Sequence, residues 1–228
     1  DPIDFVTAVT YTLEPGASHV LIDWTFYNPQ ASLDYKAHVG SYIDTGAVIE
    51  PFSPYWGFGP VGISDTLKLV GGPDPVRSWG FQSAGVAYGY APLEIKDVDM
   101  DTVNKMPIKK SAVFTISGLN VSAYTQQNGV TGLANKPFHL PGLGGGNVRG
   151  AFAVATDVGQ TSGILSKVMG SPVGHVTGVV SQGGTPQAGA RVAFTVPKPD
   201  AMGVMVPKVF ATFITDANGR YDGDIEVG

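Results

Sequence analysis

The chain contains no cysteine, which excludes disulfide bonds, thiolate zinc sites and cysteine nucleophiles. It also carries little charge: charged residues make up 14% of its 228 residues, and the net charge is −5. Sequence-independent binding of nucleic acid needs clustered Lys and Arg, so we expect no nucleic-acid partner. No stretch approaches the roughly 20 apolar residues that a membrane helix needs. We therefore expect no membrane span either.

The composition is that of a folded chain, because hydrophobic residues make up 43% of it. Low charge combined with 31 Gly and 17 Pro is typical of secreted bacterial β proteins. The first residues, DPIDFV, lack the basic start and the continuous apolar stretch of a signal peptide. We expect an extracellular or periplasmic protein whose leader is absent from this chain.

Alternation of apolar and polar residues recurs along the chain and predicts β-strands. In HVLIDWTFYNP, residues 19–29, every second residue from Val20 to Phe26 is apolar, while Asp23 and Thr25 point the other way. Two short segments with weak amphipathic character are candidate helices, residues 94–106 and 162–170.

A cluster of Gly, Ser and Pro, MGSPVGH at residues 169–175, marks a boundary. Beyond it, short strands are separated by the turn signals QGGTPQAG and DANG, at a spacing typical of a small sandwich. We therefore predict an all-β chain: a large antiparallel β-sandwich over residues 1–170 and a small β-sandwich over residues 171–228.

The small domain carries the more specific family signal. VTGVVSQGGTPQAGARVAFT and TDANGRYDGDIEVG resemble the carboxypeptidase regulatory-like domain, a transthyretin-type, prealbumin-like sandwich. The matching positions are Gly178, Val180, Pro186, Gly189, Ala190, Val192, Thr215, Asp216, Asn218, Gly219, Tyr221 and Gly228. At the turn, Asp216 can cap its own backbone and Gly219 supplies a positive φ. The resemblance implies that the sandwich continues past Gly228 and is incomplete here.

The large domain resembles a galactose-mutarotase-like supersandwich. The resemblance rests on VTYTLEPGASHVLIDWTFYNP, DTGAVIEPFSPYWGFG, GVAYGY and RGAFAVATDVGQTSGIL, in this order. Such a domain often precedes a regulatory-like module in large secreted bacterial proteins, including metallohydrolases of the PHP type. The resemblance implies that the supersandwich begins upstream of residue 1, and that any catalytic domain follows Gly228.

Catalytic motifs are missing from the sequence. A metallohydrolase needs closely spaced metal ligands, but neither H-x-H nor H-E-x-x-H occurs in this sequence. The four histidines are isolated from one another: His19, His38, His139 and His175. Nothing marks a mutarotase-like acid–base pair between a histidine and Glu14, Glu50 or Glu94. The segment GLGGGNVRG lacks the GKS or GKT ending of a phosphate loop. We predict no catalytic residue, no metal ligand and no cofactor.

Acidic residues are concentrated in DANGRYDGD, residues 216–224. An EF-hand loop that began at Asp216 would accept Asn218 at its third position. Its fifth position, a ligand, would be Arg220, and its sixth, a Gly, would be Tyr221. We interpret the segment as the turn of a β-hairpin, and not as a calcium loop.

Aromatic residues give the strongest binding hypothesis. FSPYWGFGP, residues 52–60, places several of them among Gly and Pro in a predicted loop. Flat aromatic faces on loops can stack on the apolar faces of sugar rings. Alternatively, the rings fill the open end of the sandwich. The predicted ligand-binding residues are Tyr55, Trp56, Trp79, Tyr88 and Tyr90.

These observations lead to three hypotheses for function. We expect a non-catalytic extracellular accessory or binding region of a larger secreted bacterial protein, in contact with carbohydrate or cell-surface polymer. The first alternative is an N-terminal scaffold of a secreted metal-dependent hydrolase whose catalytic domain lies outside this chain. The second is a structural subunit whose open sheet edge is completed by a strand from a neighbouring protein.

Overall fold

The computed structural model describes residues 5–37, 40–44, 51–55, 57–58, 77–83, 85–96, 106–107, 110–116, 119–125, 138–200 and 202–227. Most of these residues lie in β-strands, and the strand pairs are antiparallel. The prediction of an all-β, sandwich-type fold is therefore confirmed.

The strands are β1 Val6–Thr12, β2 His19–Tyr27, β3 Tyr35–Ala37, β4 Gly40–Asp44, β5 Pro51–Ser53, β6 Gly57–Phe58, β7 Trp79–Ser83, β8 Val86–Lys96, β9 Met106–Pro107, β10 Lys110–Ile116, β11 Leu119–Thr125, β12 Phe138–Leu140, β13 Gly145–Ala155, β14 Val173–Val179, β15 Ser181–Gln182, β16 Thr185–Pro186, β17 Arg191–Pro199, β18 Met205–Ile214 and β19 Arg220–Glu226. In the described part of the chain there is one helix, α1 Val158–Val168.

The first of two compact units comprises Asp1–Ala47, Gly62–Arg77 and Pro92–Ala151. In it, β1, β2, β13 and β8 are neighbours in this order, and β9 pairs with β8. A three-stranded sheet has the order β10, β11 and β4, and β12 pairs with β3. The alternation that predicted a strand between residues 19 and 29 corresponds to β2, which pairs with β1 along its length.

A row of charged side chains crosses three neighbouring strands of this unit. The Arg149 guanidinium on β13 contacts Asp23 on β2 at 2.7 Å and Glu94 on β8 at 3.3 Å. The hydrogen bond to Asp23 raises the pKa of Arg149 above its usual value. Glu94 is therefore part of an ion-pair row in the sheet.

The second unit comprises Val48–Val61, Ser78–Ala91 and Phe152–Gly228. In it, β13, β8, β7, β5 and β6 are neighbours in this order. Three two-stranded sheets follow, which pair β14 with β19, β15 with β16 and β17 with β18. The unit thus joins residues 171–228 to earlier segments, and the division of the chain at residue 170 stays a prediction.

An aromatic cluster connects two of these sheets. The Phe194 ring on β17 meets the Phe213 ring on β18 edge to face, with centroids 5.7 Å apart. The Tyr221 ring on β19 lies 5.9 Å from Phe194 and 6.2 Å from Phe213. Glycines on β14 and β19 make room for the rings, because a Cβ at Gly178 would collide with Tyr221 and one at Gly223 with Phe213.

The helix prediction for residues 162–170 is confirmed, although α1 begins earlier, after the N-cap residue Asp157. The other candidate, residues 94–106, is wrong at both ends: residues 94–96 continue β8 and residue 106 belongs to β9. Residues 97–105 lie outside the described residues. No helix in the described ranges is long and apolar enough to cross a membrane.

The hairpin interpretation of residues 216–224 is wrong in one respect. The strand before the turn, β18, pairs with β17, whereas the strand after it, β19, pairs with β14. The turn therefore connects two sheets. Its expected capping is present: Asp216 Oδ1 accepts hydrogen bonds from the backbone N–H groups of Asn218 and Arg220, at 2.8 and 2.9 Å.

Gly219 is the tightest position of this turn. Its φ is +70°, and a Cβ there would lie 2.5 Å from the Val180 carbonyl oxygen. Gly189 has a nearly identical φ of +71°, but a Cβ there would meet nothing within 4 Å.

We expect Gly189→Ala to destabilise the fold by about 1 kcal/mol through backbone strain alone. Gly219→Ala should cost at least about twice as much, and equal losses in urea unfolding would contradict this account.

The Asp157 carboxylate joins α1 to β18. Its Oδ1 accepts from the Gln160 backbone N–H at 2.8 Å, and its Oδ2 accepts from the Ile214 backbone N–H at 3.0 Å. The residue is only 2% exposed, so water cannot replace the missing acceptor in a variant.

We expect Asp157→Ala to lower the free energy of unfolding by about 2 kcal/mol or more, because it removes a helix cap and leaves a strand N–H unpaired. Asp200→Ala is the matched control, since Asp200 Oδ1 also accepts from two backbone N–H groups, in an exposed turn. Its loss should stay below about 1 kcal/mol, because water can substitute there. Chemical denaturation of both variants measures the difference, and a control as damaging as Asp157→Ala would refute the role given to burial.

Candidate functional site

Tyr55 follows β5 in a backbone conformation that is rare for a residue with a side chain, with φ at +67°. Its ring stacks on that of Phe210 from β18, with 6.3 Å between centroids and 28° between planes. The Lys198 ammonium, from β17, lies 3.6 Å from the centre of the Tyr55 ring. Three distant parts of the sequence thus form a cation–π and aromatic cluster.

A β-bulge places Phe210 at this position. The register of β17 and β18 pairs Phe194 with Ala211 and Thr195 with Val209, which leaves Phe210 as the extra residue. A bulge changes the face to which the following side chains point. Phe210 consequently contacts Tyr55 on one side and Phe194, at 6.3 Å between centroids, on the other.

Beside this cluster lies a groove of about 330 Å³. This volume lies at the lower end of the range of about 300–1,000 Å³ that is typical of small-molecule sites. The walls are largely apolar, with one cation and one carboxylate, and the main lining residues are Tyr55, Val196, Lys198, Phe210, Ile225 and Glu226. All of them belong to the second unit.

A second, smaller pocket shares Tyr55, Phe210, Ile225 and Glu226 with the groove, and we call it the extension. It reaches α1, and its other lining residues include Ser162, Ser166 and Asp224. The Ser166 hydroxyl donates to Glu226 Oε2 at 3.2 Å. Gly163 allows the close approach, because a Cβ there would collide with the Asp224 backbone. The helix therefore supplies hydroxyl groups to an otherwise sheet-built groove.

The acidic residues next to the extension contact the side chains of Lys167 and His175. Lys167 Nζ contacts Asp224 Oδ2 at 2.5 Å, and His175 Nδ1 lies 3.2 Å from Asp224 Oδ1. His175 Nε2 lies 3.3 Å from Asp222 Oδ2. The hydrogen bond from Lys167, and secondarily that from His175, holds the pKa of Asp224 below its usual value.

The groove combines an aromatic ring, an ammonium, a carboxylate and hydroxyl groups, which is a set suited to holding a polar ring compound by stacking and hydrogen bonds. Within the residues that the structure describes, no group of three or more His, Asp and Glu side chains is placed to hold a metal ion. The arrangement supports binding chemistry.

The predicted aromatic residues are not gathered in one place. Trp79 and Tyr90 are each 2% exposed, and their rings pack together on paired strands with centroids 6.1 Å apart. Tyr88 is 36% exposed, and its ring contacts Phe81 and Phe152. Trp56 lies outside the described residues.

Of the predicted residues that the structure describes, Tyr55 lines the groove. The burial of Trp79 and Tyr90 fits the alternative in which aromatic rings fill the interior, because neither ring offers a face to a ligand in this conformation. Ligand binding by the predicted residues as a set stays a prediction.

Sequence reasoning missed Lys198, Phe210 and Glu226. Lys198 lies between two prolines and Phe210 within an apolar run, and neither context signals a site. A usable signal was the irregular apolar pattern of KVFATFITD, in which Val209, Phe210 and Ala211 break the alternation and point to a bulge.

Comparison with known proteins adds little to this description. No family model matches the chain, and no curated protein matches it. Among solved structures, the Slr1438 protein from Synechocystis sp. PCC 6803 is similar to part of it, with 11% sequence identity and a TM-score of 0.35. The match covers 68% of this chain and 56% of that one, so the chain spans little more than half the length of that protein.

The Lys167–Asp224 pair predicts a defined pH dependence. Because the folded-state pKa of Asp224 is depressed, its contribution to stability is present above the ordinary Asp pKa of about 3.9 and is lost as the pH falls through the folded value. Lys167→Met should raise the pKa of Asp224, and its stability deficit relative to the unsubstituted protein should vanish in acid. Carboxyl-carbon NMR titration measures the shift.

The control for this experiment is Lys208→Met, because Lys208 is not among the groups that shift Asp224. An unchanged Asp224 titration in Lys167→Met, or an equal change in the control, would remove Lys167 as the cause.

Proposed function

We propose that this chain is a non-catalytic binding region that contacts carbohydrate, or a cell-surface polymer built from it, through the groove beside Tyr55. The observation that carries the proposal is the Tyr55–Phe210 wall with Lys198 over the Tyr55 ring, at the side of a groove of about 330 Å³. Composition and the resemblances described above support an extracellular location within a larger secreted bacterial protein.

The chemistry of the walls suits a sugar ring. Sugars have apolar C–H faces and a polar rim of hydroxyl groups, so a site needs flat apolar surface together with donors and acceptors. Tyr55, Phe210 and Ile225 supply the surface. Lys198 supplies donors and Glu226 supplies an acceptor.

The Tyr55 segment is held in place before any ligand binds. A non-glycine residue with φ at +67° persists only where surrounding contacts fix it. The contacts with Phe210 and Lys198 fix the Tyr55 ring. A wall that is ordered in advance loses less conformational entropy on binding, which favours affinity.

We expect Tyr55→Ala to weaken saccharide binding about tenfold or more, since it removes the ring that carries the wall. A glycan array identifies ligands, and titration calorimetry of the best one measures the loss. Tyr11→Ala is the matched control, because Tyr11 is an exposed tyrosine on β1 that does not line the groove. Binding that survives Tyr55→Ala in a folded variant rules out this groove as the site.

A further inference from the structure

The Lys198 ammonium covers one face of the Tyr55 ring, at 3.6 Å from the ring centre, and both side chains line the groove. A ligand that stacks on this face has to move the ammonium aside. A neutral sugar offers the displaced ammonium only hydroxyl oxygens as acceptors, whereas an anionic sugar also offers an opposite charge, with which the ammonium forms an ion pair. The cost of uncovering Tyr55 is therefore offset better by an acidic ligand than by a neutral one.

We propose that the groove selects acidic saccharides, in which a carboxylate or sulfate on the ring pairs with Lys198 while the ring stacks on Tyr55. This inference rests on the proposed function and specifies the ligand class of the same site. A lysine suits this role because its ammonium is a compact point charge on a flexible four-carbon stem, which can leave the ring and follow the anion.

The other charges of the groove are compatible with an anionic ligand. Glu226 carries the opposite sign, but one of its oxygens accepts from Ser166 and it offers acceptor capacity to sugar hydroxyl groups. Asp224, in the extension, is paired with Lys167 and His175. Opposite signs within one groove orient the ring, with its acidic group toward Lys198 and its hydroxyl groups toward Glu226.

The test uses three probes: a galacturonic acid hexamer, its methyl ester and a sulfated galacto-oligosaccharide. The ester keeps the ring and loses the charge. We expect the acid to bind about tenfold more tightly than the ester, because only the acid supplies a negative charge to pair with Lys198, and its binding to weaken as salt increases. Preference for the carboxylated or the sulfated probe then distinguishes the two sources of the anion.

Lys198→Met should remove about tenfold in affinity for the acid, because it removes the cation. The same variant should weaken binding of the ester less, since the ester has no negative charge to pair with the ammonium. Lys208→Met controls for the general loss of one positive charge on the neighbouring strand β18, and we expect no effect on either probe. Calorimetry with the whole chain measures all combinations.

The outcomes separate this inference from the proposed function. Equal affinity for acid and ester, or equal losses for both probes in Lys198→Met, overturns the selection of acidic sugars and leaves carbohydrate binding standing. Acid binding that is lost equally in Lys208→Met also overturns it, because net charge would then be the cause. Binding of none of the three probes, nor of any saccharide on a glycan array, overturns both proposals.

Discussion

The buried carboxylate of Asp157 is the constraint on which the arrangement of the second unit depends. One oxygen accepts from the first turn of α1 and the other from the end of β18, so the helix cannot slide along the strand without breaking a buried hydrogen bond. Burial raises the pKa of this carboxyl, and the backbone hydrogen bonds from Gln160, Ile214 and Gly159 act against that rise. The Asp157 carboxylate is held in place because it accepts hydrogen bonds from two backbone N–H groups at once.

Small residues on α1 complete this constraint. A Cβ at Gly159 would collide with Thr212 and Phe213, and one at Gly163 with Asp224, so both glycines allow the helix to lie directly on β18 and β19. Once the N-terminus of the helix is fixed by Asp157, the next turns place Ser162 and Ser166 beside the groove. The positions of the two serine hydroxyl groups at the polar end of the candidate site therefore depend on the helix cap at Asp157.

The β17–β18 ribbon serves both the core and the groove, and the bulge at Phe210 separates the two roles. On one side of the bulge, Phe194 and Phe213 pack against Tyr221 between two sheets. On the other side, Val196 and Lys198 line the groove. The same pair of strands thus packs against a second sheet on one side of the bulge and lines the groove on the other.

Local rules predicted what depends on local chemistry, and failed where the partner is distant in sequence. The alternation in β2, the helix near residue 165 and the Asp216 cap all follow from neighbouring residues. The turn after β18 was wrongly predicted to close a hairpin. Its residues determine that the chain reverses direction, but they do not determine which sheet the next strand joins. Lys198 belongs to the candidate site because it contacts the ring of Tyr55, which is far away in sequence. The apolar periodicity of the sequence cannot predict such a contact. The position of Trp79 and Tyr90 in the interior depends on strand pairing in the same way.

The proposal that an acidic chain binds an acidic sugar raises an electrostatic objection, which the screening of distant charges resolves. The net charge is −5, but at physiological ionic strength charges further apart than about 8 Å are largely screened. What a ligand senses in the groove is therefore Lys198 and Glu226 at contact, with Asp224 already paired to Lys167 and His175. Long-range repulsion then lowers the rate of encounter more than it lowers the affinity of the bound state. Under this proposal, selectivity depends on one ammonium and the aromatic face that it covers.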